Sequence, residues 1–442
     1  MIESLLIANR GEIARRIIRT AKRLGIRAIA VHSEADAGMP FVLEADEAVC
    51  VGPANPAQSY RNTEAILAAA KQTGAQAIHP GYGFLSENAD FARAVEANGL
   101  VWVGPSADAI TAMGDKINAR NLMAEAGVPV APGTTDPAAT VEAALDAAAT
   151  IGYPVMVKAA AGGGGMGMAV ANDEAGLRTE YDKVRGFAER MFGDGSVLIE
   201  RYFPRVRHVE VQILGLADGR VVALSERECS VQRRNQKLVE EAPSPAVSPE
   251  LRERFLAAAV KAGEAVNYRN AGTVECLLDP TTGEFFFLEM NTRLQVEHPI
   301  TEIIHGIDLV EAQLRIASGE EVEIPLTTSG HAIELRVNAE DPKRFLPGPG
   351  AVKTWVEPTG EGVRVDSGYA EGTTVTPNYD SLMAKLIVTG ATRDEAIERA
   401  RAAVAGFEIT GPKNNLPFFA ELLENAEFLS GDYDTGIVGR MR

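Results

Sequence analysis

The sequence predicts a multidomain chain of mixed α/β and α+β architecture that begins with a doubly wound parallel sheet. Strand-like and helix-like runs alternate over the N-terminal quarter, and a glycine-rich segment separates two strand-like runs further on. Strand-like runs with turn signals then dominate a long stretch after the glycines. The length of 442 residues is too large for one ordinary core, so we expect about two to four domains.

The N-terminal segment reads as the opening of a βαβ unit. Parallel strands need a crossover connection, and a helix between two apolar runs supplies one. The predicted elements are a strand at 5–8, a helix at 12–24, a strand at 27–32, a helix at about 64–73 and a strand at 77–79. We therefore predict one doubly wound α/β domain over residues 1–112.

The rest of the chain predicts two further domains. Breaker residues at 127–133 open a small lobe with a glycine-rich centre, expected to form a mobile lid over 131–203. Strands and hairpins dominate from about 207 to 330, so the second domain is expected over 113–330. The third domain is expected over 331–442, with a helix at 393–407 as its last element.

Charge and composition exclude several classes of function. The formal net charge is -18, which disfavours a nucleic-acid or anionic-membrane surface because such partners require clustered cations. The N-terminus lacks a signal-peptide pattern, and no run approaches the apolar length of a membrane span. Cys50, Cys229 and Cys276 are widely spaced and form no CxxC pair, which argues against disulfides and thiolate zinc sites. We expect a cytoplasmic protein.

The sharpest chemical pattern is a predicted β-hairpin that carries two carboxylates. Apolar runs flank a Pro/Gly turn after Leu278. If Asp279 pairs with Phe285, antiparallel register places Glu275 opposite Glu289. Because side chains alternate along a strand, three apolar residues are expected to point the other way, into a core. These are Phe286, Leu288 and Met290.

The carboxylate face of this hairpin suits a divalent cation. Asn291 and Arg293 share the face of Glu289 by alternation. Two bare carboxylates roughly 5 Å apart repel by about 3 kcal/mol at an effective dielectric near 20, so the pair calls for a cation or a shared proton. Oxygen ligands from two Glu and one Asn fit Mg²⁺ or Mn²⁺. The alternative is a solvated outer face that carries charges by chance.

The glycine-rich segment predicts a phosphate cradle. Lys158 ends an apolar strand, and the glycines at 162–165 and 167 let backbone N–H groups approach an anion closely. The GxGxxG spacing is present, but the run after it reads as a strand, so the dinucleotide-binding context is missing. It is not a P-loop, because the lysine precedes the glycines. A flexible surface loop remains the alternative.

A third pattern is a polar cluster at residues 232–237. Three cations and three amide side chains lie in these six residues, between acidic stretches. Such donors suit an oxyanion such as bicarbonate. The alternative is an ordinary solvated face.

Four strings in the chain resemble the biotin carboxylase family within the ATP-grasp fold. They are NRGEIA at 9–14, HPGYGFLSEN at 79–88, MGDK at 113–116 and EMNTRLQVEHP at 289–299. The resemblance covers essentially the whole chain. It implies an N-terminal biotin carboxylase domain, an ATP-grasp domain with a glycine-rich lid and a biotin carboxylase C-terminal domain.

The resemblance implies a MgATP- and bicarbonate-dependent ligase that carboxylates biotin through carboxyphosphate. The residues it assigns to ATP are Lys116, Lys158, Gly162, Gly163, Gly164, Gly165, Gly167, Glu200, Arg201, Phe203, His208, Gln232, Asn235 and Leu277. The contacts at the adenine edge would come from the backbone of residues 200–203. The metals, Mg²⁺ or Mn²⁺, would be carried by Glu275, Glu289 and Asn291.

The same resemblance assigns the carboxylation chemistry. Bicarbonate would be held by Lys237, Arg293, Gln295 and the backbone of Val296. Glu297 would remove its proton, and Arg336 would stabilise the enolate-like oxygen of biotin. Asp380 would support biotin or its approach to the site.

Two positions depart from the family pattern. Asn235 stands where many members have His, and Met166 stands within the lid where a basic residue is common. Asn can still hydrogen-bond a ribose hydroxyl, whereas Met cannot attract phosphate. Met166 is therefore left out of the expected site, and the effect of both residues on ATP affinity stays open.

The resemblance also implies partners. The chain has no Ala-Met-Lys-Met biotinylation motif, so the biotin carrier and the carboxyltransferase are expected on other chains. An acyl-CoA carboxylase of acetyl-CoA or propionyl-CoA type is expected, but pyruvate and urea stay open as acceptors. A homodimer is expected, with Arg16 and Arg19 as candidates for its interface, unless they form an exposed basic helix face.

Two other functions remain as alternatives. One is an ATP-grasp ligase that joins a carboxylate to an amine without biotin, and the other is a catalytically silent nucleotide-binding module. The first is disfavoured by the residues at 295–297 together with Arg336. The second is disfavoured because the candidate base and metal ligands are all present.

Overall fold

The structure is a computed structural model that describes residues 2–160 and 167–442. Its N-terminal part contains a parallel sheet with the strand order β3-β2-β1-β4-β5. The elements are β1 Ser4–Ile7, α1 Gly11–Arg23, β2 Arg27–Ser33, α2 Pro40–Glu44, β3 Glu47–Gly52, α3 Thr63–Thr73, β4 Ala77–His79, α4 Ala89–Ala97, β5 Val101–Trp102, α5 Ala107–Gly114 and α6 Lys116–Glu125. The predicted βαβ opening is confirmed within one or two residues at each boundary.

A small lobe follows, with its own apolar core. In the part of it that the structure describes, antiparallel strands with the order β7-β6-β8 pack against two helices. The elements are α7 Val141–Ile151, β6 Val155–Ala159, β7 Met168–Ala171, α8 Glu174–Phe192 and β8 Val197–Arg201. A strand does follow the glycines, as predicted, which rules out the strand-to-helix context of a dinucleotide fingerprint.

The central layer is a long antiparallel sheet. Among the described residues its order is β13-β12-β9-β10-β11-β14-β19-β17. The elements up to the predicted third domain are β9 Arg207–Gly215, β10 Val221–Arg233, β11 Gln236–Ala242, α9 Pro249–Ala265, β12 Asn270–Leu278, β13 Phe285–Asn291, α10 His298–His305 and α11 Leu309–Ala317. The prediction that strands and hairpins dominate residues 207–330 therefore holds only in part, because three helices of this region cover the sheet.

The C-terminal part continues the same sheet. Its elements are β14 His331–Asn338, β15 Gly350–Ala351, β16 Thr354–Val356, β17 Val363–Ser367, β18 Thr374–Val375, β19 Leu382–Gly390, α12 Arg393–Gly406, β20 Glu408–Thr410, α13 Leu416–Leu422, α14 Ala426–Ser430 and α15 Ile437–Arg440. β14 pairs with β11 through backbone hydrogen bonds. One sheet therefore continues across the predicted domain boundary at residue 331. The expectation that the helix at 393–407 ends the chain is wrong, since three short helices follow it and bury Phe418 and Phe419.

The hairpin of β12 and β13 contains a bulge. Leu278, not Asp279, lies opposite Phe285, so the predicted register is off by one near the turn. The register shifts between Cys276 and Glu275, and this shift restores the predicted pairing of Glu275 with Glu289. A bulge adds one residue to one strand and changes which face the following side chains occupy.

The bulge also corrects the predicted core residues of β13. Phe286 and Leu288 line a cavity instead of the core, whereas Phe285 and Phe287 are buried. Met290, which follows the bulge, is buried as predicted. Alternation therefore holds on each side of the bulge but not across it.

Two further features concern the whole chain. No helix among the described residues has the length and apolarity needed to cross a membrane. The three cysteines are unpaired, with Cys50 exposed and Cys229 and Cys276 buried.

Candidate active site

A cavity of about 1240 Å³ opens between the N-terminal sheet, the small lobe and the central sheet. It collects every described residue of the predicted site except Gly167. The lining residues that had been predicted are Lys116, Lys158, Glu200, Arg201, Phe203, His208, Gln232, Asn235, Lys237, Glu275, Leu277, Glu289, Asn291, Arg293, Gln295, Val296, Glu297, Arg336 and Asp380. Residues that lie up to 264 positions apart in the sequence thus line one cavity.

Most of the predicted glycine cradle falls outside the part of the chain that the structure describes. Gly162, Gly163, Gly164 and Gly165, like Met166, lie outside the described residues. Gly167 has a φ of 70°, and a Cβ there would lie 2.9 Å from the Cβ of Ala159. A residue with a side chain would be strained at this position.

A row of three glutamates crosses the central sheet. Glu275 on β12 lies opposite Glu289 on one side and opposite Glu210 of β9 on the other. The predicted pair is present, and Glu210 adds a third carboxylate that the sequence prediction missed. The alternation of His208, Glu210 and Gln212 along one strand is the sequence signal from which Glu210 could have been predicted.

Lys237 compensates this negative charge. Its Nζ lies 2.5 Å from Glu210, 2.8 Å from Glu275 and 2.7 Å from Glu297. Burial alone lowers the pKa of Lys237, but the three carboxylates outweigh burial and raise that pKa well above its ordinary value. The ammonium is therefore a permanent positive charge at the centre of the site.

Glu275 receives further donors around its carboxylate. Oε1 accepts from Nδ2 of Asn291 at 2.8 Å and from Nε2 of Gln295 at 2.7 Å. His208 Nε2 lies 2.9 Å from Oε2. Burial raises the pKa of Glu275, but the charges of Lys237 and His208 outweigh it and hold that pKa well below its ordinary value.

Arg227 supports this cluster from behind and was also missed. The side chain is fully buried and donates to Glu210 at 2.6 Å, to Gln212 at 2.8 Å and to Oε1 of Gln295 at 2.8 Å. An Arg–carboxylate pair in this geometry orients both partners. Arg227 thus fixes the amide of Gln295 so that its Nε2 faces Glu275.

Glu297 lies between two cations. Oε1 lies 2.7 Å from Lys237 Nζ, and Oε2 accepts from Arg336 at 3.0 Å. Burial raises its pKa, yet Lys237 and Arg336 outweigh burial and hold the pKa of Glu297 well below its ordinary value. Arg336 also donates through Nε to Glu240 at 2.6 Å. The carboxylate of Glu297 is therefore ionised, which is the form that a general base requires.

Arg293 is placed by a residue of the N-terminal part. Its Nε donates to Glu87 at 2.9 Å, and its Nη2 donates to Oδ1 of Asn291 at 2.8 Å. Glu87 also accepts from the N–H of Thr292 at 3.1 Å. Glu87 belongs to the string at 79–88 that carried the resemblance, and its task is to hold the chain after β13.

Two lysines lie at the other end of the cavity. Lys158 forms an ion pair with Glu200. Lys116 is the first residue of α6; burial lowers its pKa, and the charge of Glu289 partly opposes this shift. Two cations therefore line the same cavity as the carboxylate row, as the charge of a polyphosphate requires.

An apolar slot lies beside the lysines. The rings of Phe203 and Phe286 stack at 4.9 Å, and Leu277 and Leu288 line the same wall. The N–H groups of residues 201 and 202 already donate to Pro132 and Pro154 within the protein. A planar aromatic ligand fits such a slot.

The cluster at 232–237 forms a tight hairpin turn. Arg233 pairs with Gln236, and Arg234 and Asn235 have φ values of 50° and 65°. Two residues of positive φ are typical of a type I′ turn, in which Asn is favoured. Lys237 points into the site, whereas Arg233 donates to the carbonyls of residues 344 and 345. Within the cluster, Lys237 thus belongs to the site, whereas Arg233 stabilises the fold.

The donor set fits a hard divalent cation. Glu275 and Glu289 share a face with Asn291, and Glu289 stays exposed in the cavity. Carboxylate and amide oxygens are the ligands that Mg²⁺ and Mn²⁺ prefer. A second group, His208, Glu210 and Glu275, brings its ligand atoms within 4.8 Å of one another.

The two arginines of α1 have different environments. Arg16 is 3% exposed and pairs with Glu302 at 2.5 Å and with Asp308 at 2.7 Å. The idea that it belongs to an exposed basic face is wrong, because these acids bury it. Arg19 has a side chain that is 54% exposed, and it pairs with Asp366.

Three protein families match the chain in succession. Residues 1–110 match the biotin carboxylase N-terminal domain. Residues 115–324 match the ATP-binding domain of the carbamoyl-phosphate synthase L chain. Residues 334–440 match the biotin carboxylase C-terminal domain.

Known proteins match over almost the full length. The chain is 49% identical to a biotin carboxylase of Pseudomonas aeruginosa over 435 residues, which are 98% of this chain and 96% of the relative. It is 48% identical to a pyruvate carboxylase subunit of Methanothermobacter thermautotrophicus over 446 residues, which are 100% of this chain and 90% of the relative.

A solved structure has the same fold. It is the biotin carboxylase domain dimer of the Hydrogenobacter thermophilus 2-oxoglutarate carboxylase, in complex with MgADP, ADP and bicarbonate. The TM-score is 0.95 at 43% identity, and the match covers 100% of this chain and 98% of that chain.

Proposed function

Because the chain belongs to the biotin carboxylase family, we propose how the residues of its cavity divide the work of carboxylating biotin. The enzyme is an ATP-dependent ligase that uses ATP, a divalent metal and bicarbonate. Biotin is brought to it on a carrier. The observation that carries the assignment is the placement of Glu297 between Lys237 and Arg336.

The nucleotide is assigned to the end of the cavity that holds the lysines. The adenine ring enters the apolar slot of Phe203 and Leu277, and the phosphates extend toward Lys116 and Lys158. The glycines at 162–165 and 167 complete the cradle in this proposal. Glu275, Glu289 and Asn291 would hold Mg²⁺ or Mn²⁺, which would supply positive charge to the phosphates of the nucleotide.

Bicarbonate is assigned to the opposite end. Lys237 and Arg293 supply positive charge, and Gln295 and the N–H of Val296 supply hydrogen bonds. Glu297 takes the proton of bicarbonate while an oxygen of bicarbonate attacks the γ-phosphorus. The P–O bond to ADP breaks, and carboxyphosphate forms.

Carboxyphosphate then delivers its carboxyl group to biotin. Its C–O bond breaks to release CO₂ and phosphate, and phosphate takes the proton of the ureido nitrogen. Arg336 stabilises the negative oxygen of the ureido group, as an oxyanion hole does. The nitrogen forms a C–N bond to CO₂. Asp380, at the rim, supports the approach of biotin.

The domain boundaries are part of the same proposal. We assign an N-terminal domain to 1–112, an ATP-grasp domain to 113–330 with its lid at 131–203, and a C-terminal domain to 331–442. An apolar cluster confined to the lobe supports the lid, whereas another cluster joins residues of all three assigned domains, among them Leu5, Leu214 and Leu386.

We propose that the carboxyl group passes to an acyl-CoA, of the acetyl-CoA or propionyl-CoA type, through carrier and carboxyltransferase subunits. We also propose a cytoplasmic homodimer in which the exposed Arg19 faces the partner. The biotin carboxylase of Pseudomonas aeruginosa and the pyruvate carboxylase relative are about equally similar to the chain. The acceptor test therefore includes pyruvate.

Phosphate release from ATP tests the proposed chemistry. The purified protein is assayed with free biotin, bicarbonate and MgATP, and each is left out in turn. We expect full turnover only when all three are present. Turnover with an amine in place of biotin would indicate a different ligase, and nucleotide binding without turnover would indicate a silent module.

Co-purification from the native cell tests the partners. We expect a biotinylated carrier and a carboxyltransferase to co-elute with the chain. Transfer of labelled carboxyl groups to acetyl-CoA, propionyl-CoA or pyruvate by that complex names the acceptor. Transfer to pyruvate alone would contradict the acyl-CoA proposal.

A further inference from the structure

Lys385 contacts the proposed bicarbonate site from behind. It lies on β19 and is 0% exposed. Its Nζ donates to the carbonyl oxygen of Val296 at 3.0 Å. That carbonyl belongs to the peptide unit that joins Val296 to Glu297. The lysine therefore holds the backbone between the N–H proposed to bind bicarbonate and the proposed base.

The segment that Lys385 holds is a turn between β13 and α10. A turn lacks the ladder that fixes a strand, so its carbonyls need other partners. The carbonyl of Gln295 accepts from the side chain of His298 at 2.7 Å, and that of Glu297 accepts from the N–H of Ile300 at 3.4 Å. These partners are local. Lys385, which is 89 residues away, fixes the middle carbonyl.

Two acids lie beside Lys385. Glu12 of α1 lies 3.1 Å from Nζ. Asp366 of β17 lies opposite Lys385 in the sheet and is fully buried. On its other side β14 places Arg336 opposite Lys385. A buried ammonium is costly without acidic neighbours, and these acids offset that cost.

We propose that Lys385 is a positioning residue for bicarbonate. It sets the orientation of the turn at 295–297 and thereby aims the N–H of Val296 and the carboxylate of Glu297 at the anion. A binding group must be held within about 0.5 Å of its working position to be effective. This inference rests on the proposed function, because it presumes that bicarbonate binds at the turn.

The bicarbonate and MgATP constants of biotin-dependent phosphate release test the inference. The double variant Glu12→Gln/Lys385→Met removes both ends of the ion pair and so leaves no unpaired buried charge between them. We expect the KM for bicarbonate to rise at least about tenfold, with the KM for MgATP within about twofold of wild type. Glu12→Gln alone keeps the donor and should stay within about threefold in both.

Three results would overturn the role of Lys385. They are a double variant with a bicarbonate KM near wild type, a Glu12→Gln variant with the full effect, or equal rises in both constants. If the double variant does not fold, the bicarbonate KM of Lys385→Arg tests the inference in its place. The planar guanidinium cannot reproduce the point contact of an ammonium, so the bicarbonate KM should rise about threefold or more, and an unchanged value refutes the inference.

Two control variants distinguish a failure of the Lys385 inference from a failure of the proposed bicarbonate site. Arg393→Gln removes a different, half-buried cation, the partner of Glu241 at 2.7 Å, and should leave the bicarbonate KM within about twofold. A rise as large as that of the double variant would refute a specific role for Lys385. Arg293→Lys tests the bicarbonate site itself. If Arg293→Lys leaves the bicarbonate KM unchanged, the proposed site fails; if it raises that KM and the double variant does not, only the Lys385 inference fails.

Discussion

Glu240 accepts a hydrogen bond of 2.6 Å from the Nε of Arg336 across the β11–β14 ladder. The carboxylate is fully buried, and Glu334 lies directly opposite it on β14. Two buried acids therefore face each other beside one guanidinium. This arrangement ties the orientation of Arg336 to the charge of Glu240.

The charge of Glu240 predicts the pH dependence of carboxylation. Burial raises the pKa of Glu240, Arg336 opposes the shift, and the result is a pKa of about 7. The raised value means that the carboxylate is ionised above pH 7 and neutral below it, so its grip on Arg336 weakens as pH falls through about 7. We expect biotin-dependent activity to fall in the same range.

The variant Glu240→Gln tests this assignment. It should lower activity at pH 8 by about tenfold and remove the decline near pH 7. A pH profile of kcat that declines at the same pH in the variant would show that another group titrates there. Phosphate release measured from pH 6 to 9 in both proteins supplies the comparison.

Glu297→Gln should abolish carboxylation without loss of nucleotide binding. The amide keeps the shape of the side chain but cannot take a proton from bicarbonate, and general-base catalysis contributes about 10² to 10⁴ in rate. We expect kcat to fall at least about 100-fold. The dissociation constant of MgATP, measured by calorimetry, should stay within about threefold. Activity near wild type would remove Glu297 from the role of base.

Arg336→Ala should also lose biotin-dependent phosphate release while it retains MgATP binding. The guanidinium is the group proposed to stabilise the ureido oxygen, and one such donor contributes about 10² to 10³ in kcat. Because the change strands Glu240 without its partner, the melting temperature must be measured as well. Arg336→Lys keeps the charge and is the stability control. Full turnover in a folded Arg336→Ala protein would refute the role.

Metal removal and Glu289→Gln test the carboxylate row together. Excess EDTA should stop phosphate release, and Mg²⁺ should restore it. Glu289→Gln should raise the Mg²⁺ concentration for half-maximal activity about tenfold or more, since it removes a charged ligand. Glu284→Gln changes an exposed carboxylate in the turn of the same hairpin and should behave as wild type. Equal Mg²⁺ requirements in the two variants would contradict the assignment.

The contacts of Glu241 with His331 and Arg393 predict how stability changes in acid. Burial raises the pKa of Glu241, but the hydrogen bonds and charges of His331 and Arg393 outweigh burial and lower that pKa from 4.5 to about 2. A depressed carboxyl pKa stabilises the fold above the ordinary value, by about 3 kcal/mol here. That stability is lost as pH falls from about 4.5 to about 2.

Melting temperatures of wild type and Glu241→Gln check the direction of this pH dependence of stability. The variant should melt lower at pH 7, and the gap should shrink as the pH is lowered from 5 toward 2. Arg254→Gln, which changes an exposed arginine, should run parallel to wild type over the same range. A gap that stays constant with pH would mean that lost packing, and not ionisation, destabilises the variant.

Local patterns predicted much of this molecule. The strand of residues 4–7 and the helix of residues 11–23 follow from apolar periodicity alone, because each repeats within a few residues. The pairing of Glu275 with Glu289 also follows from a short hairpin, although the bulge changes which neighbours reach the core. The resemblance then named the family, which the full-length relatives confirm.

Neighbouring residues encode the local elements and the types of chemistry that they carry, because alternation and turn signals extend over only a few positions. The folded arrangement of the strands sets which distant groups meet. Glu210 joins the row through pairing of β9 with β12, and Arg227 reaches Gln295 across 68 positions. Lys385 reaches the carbonyl of Val296 from the C-terminal part. Such contacts depend on strand order and burial, which no local period of the chain records.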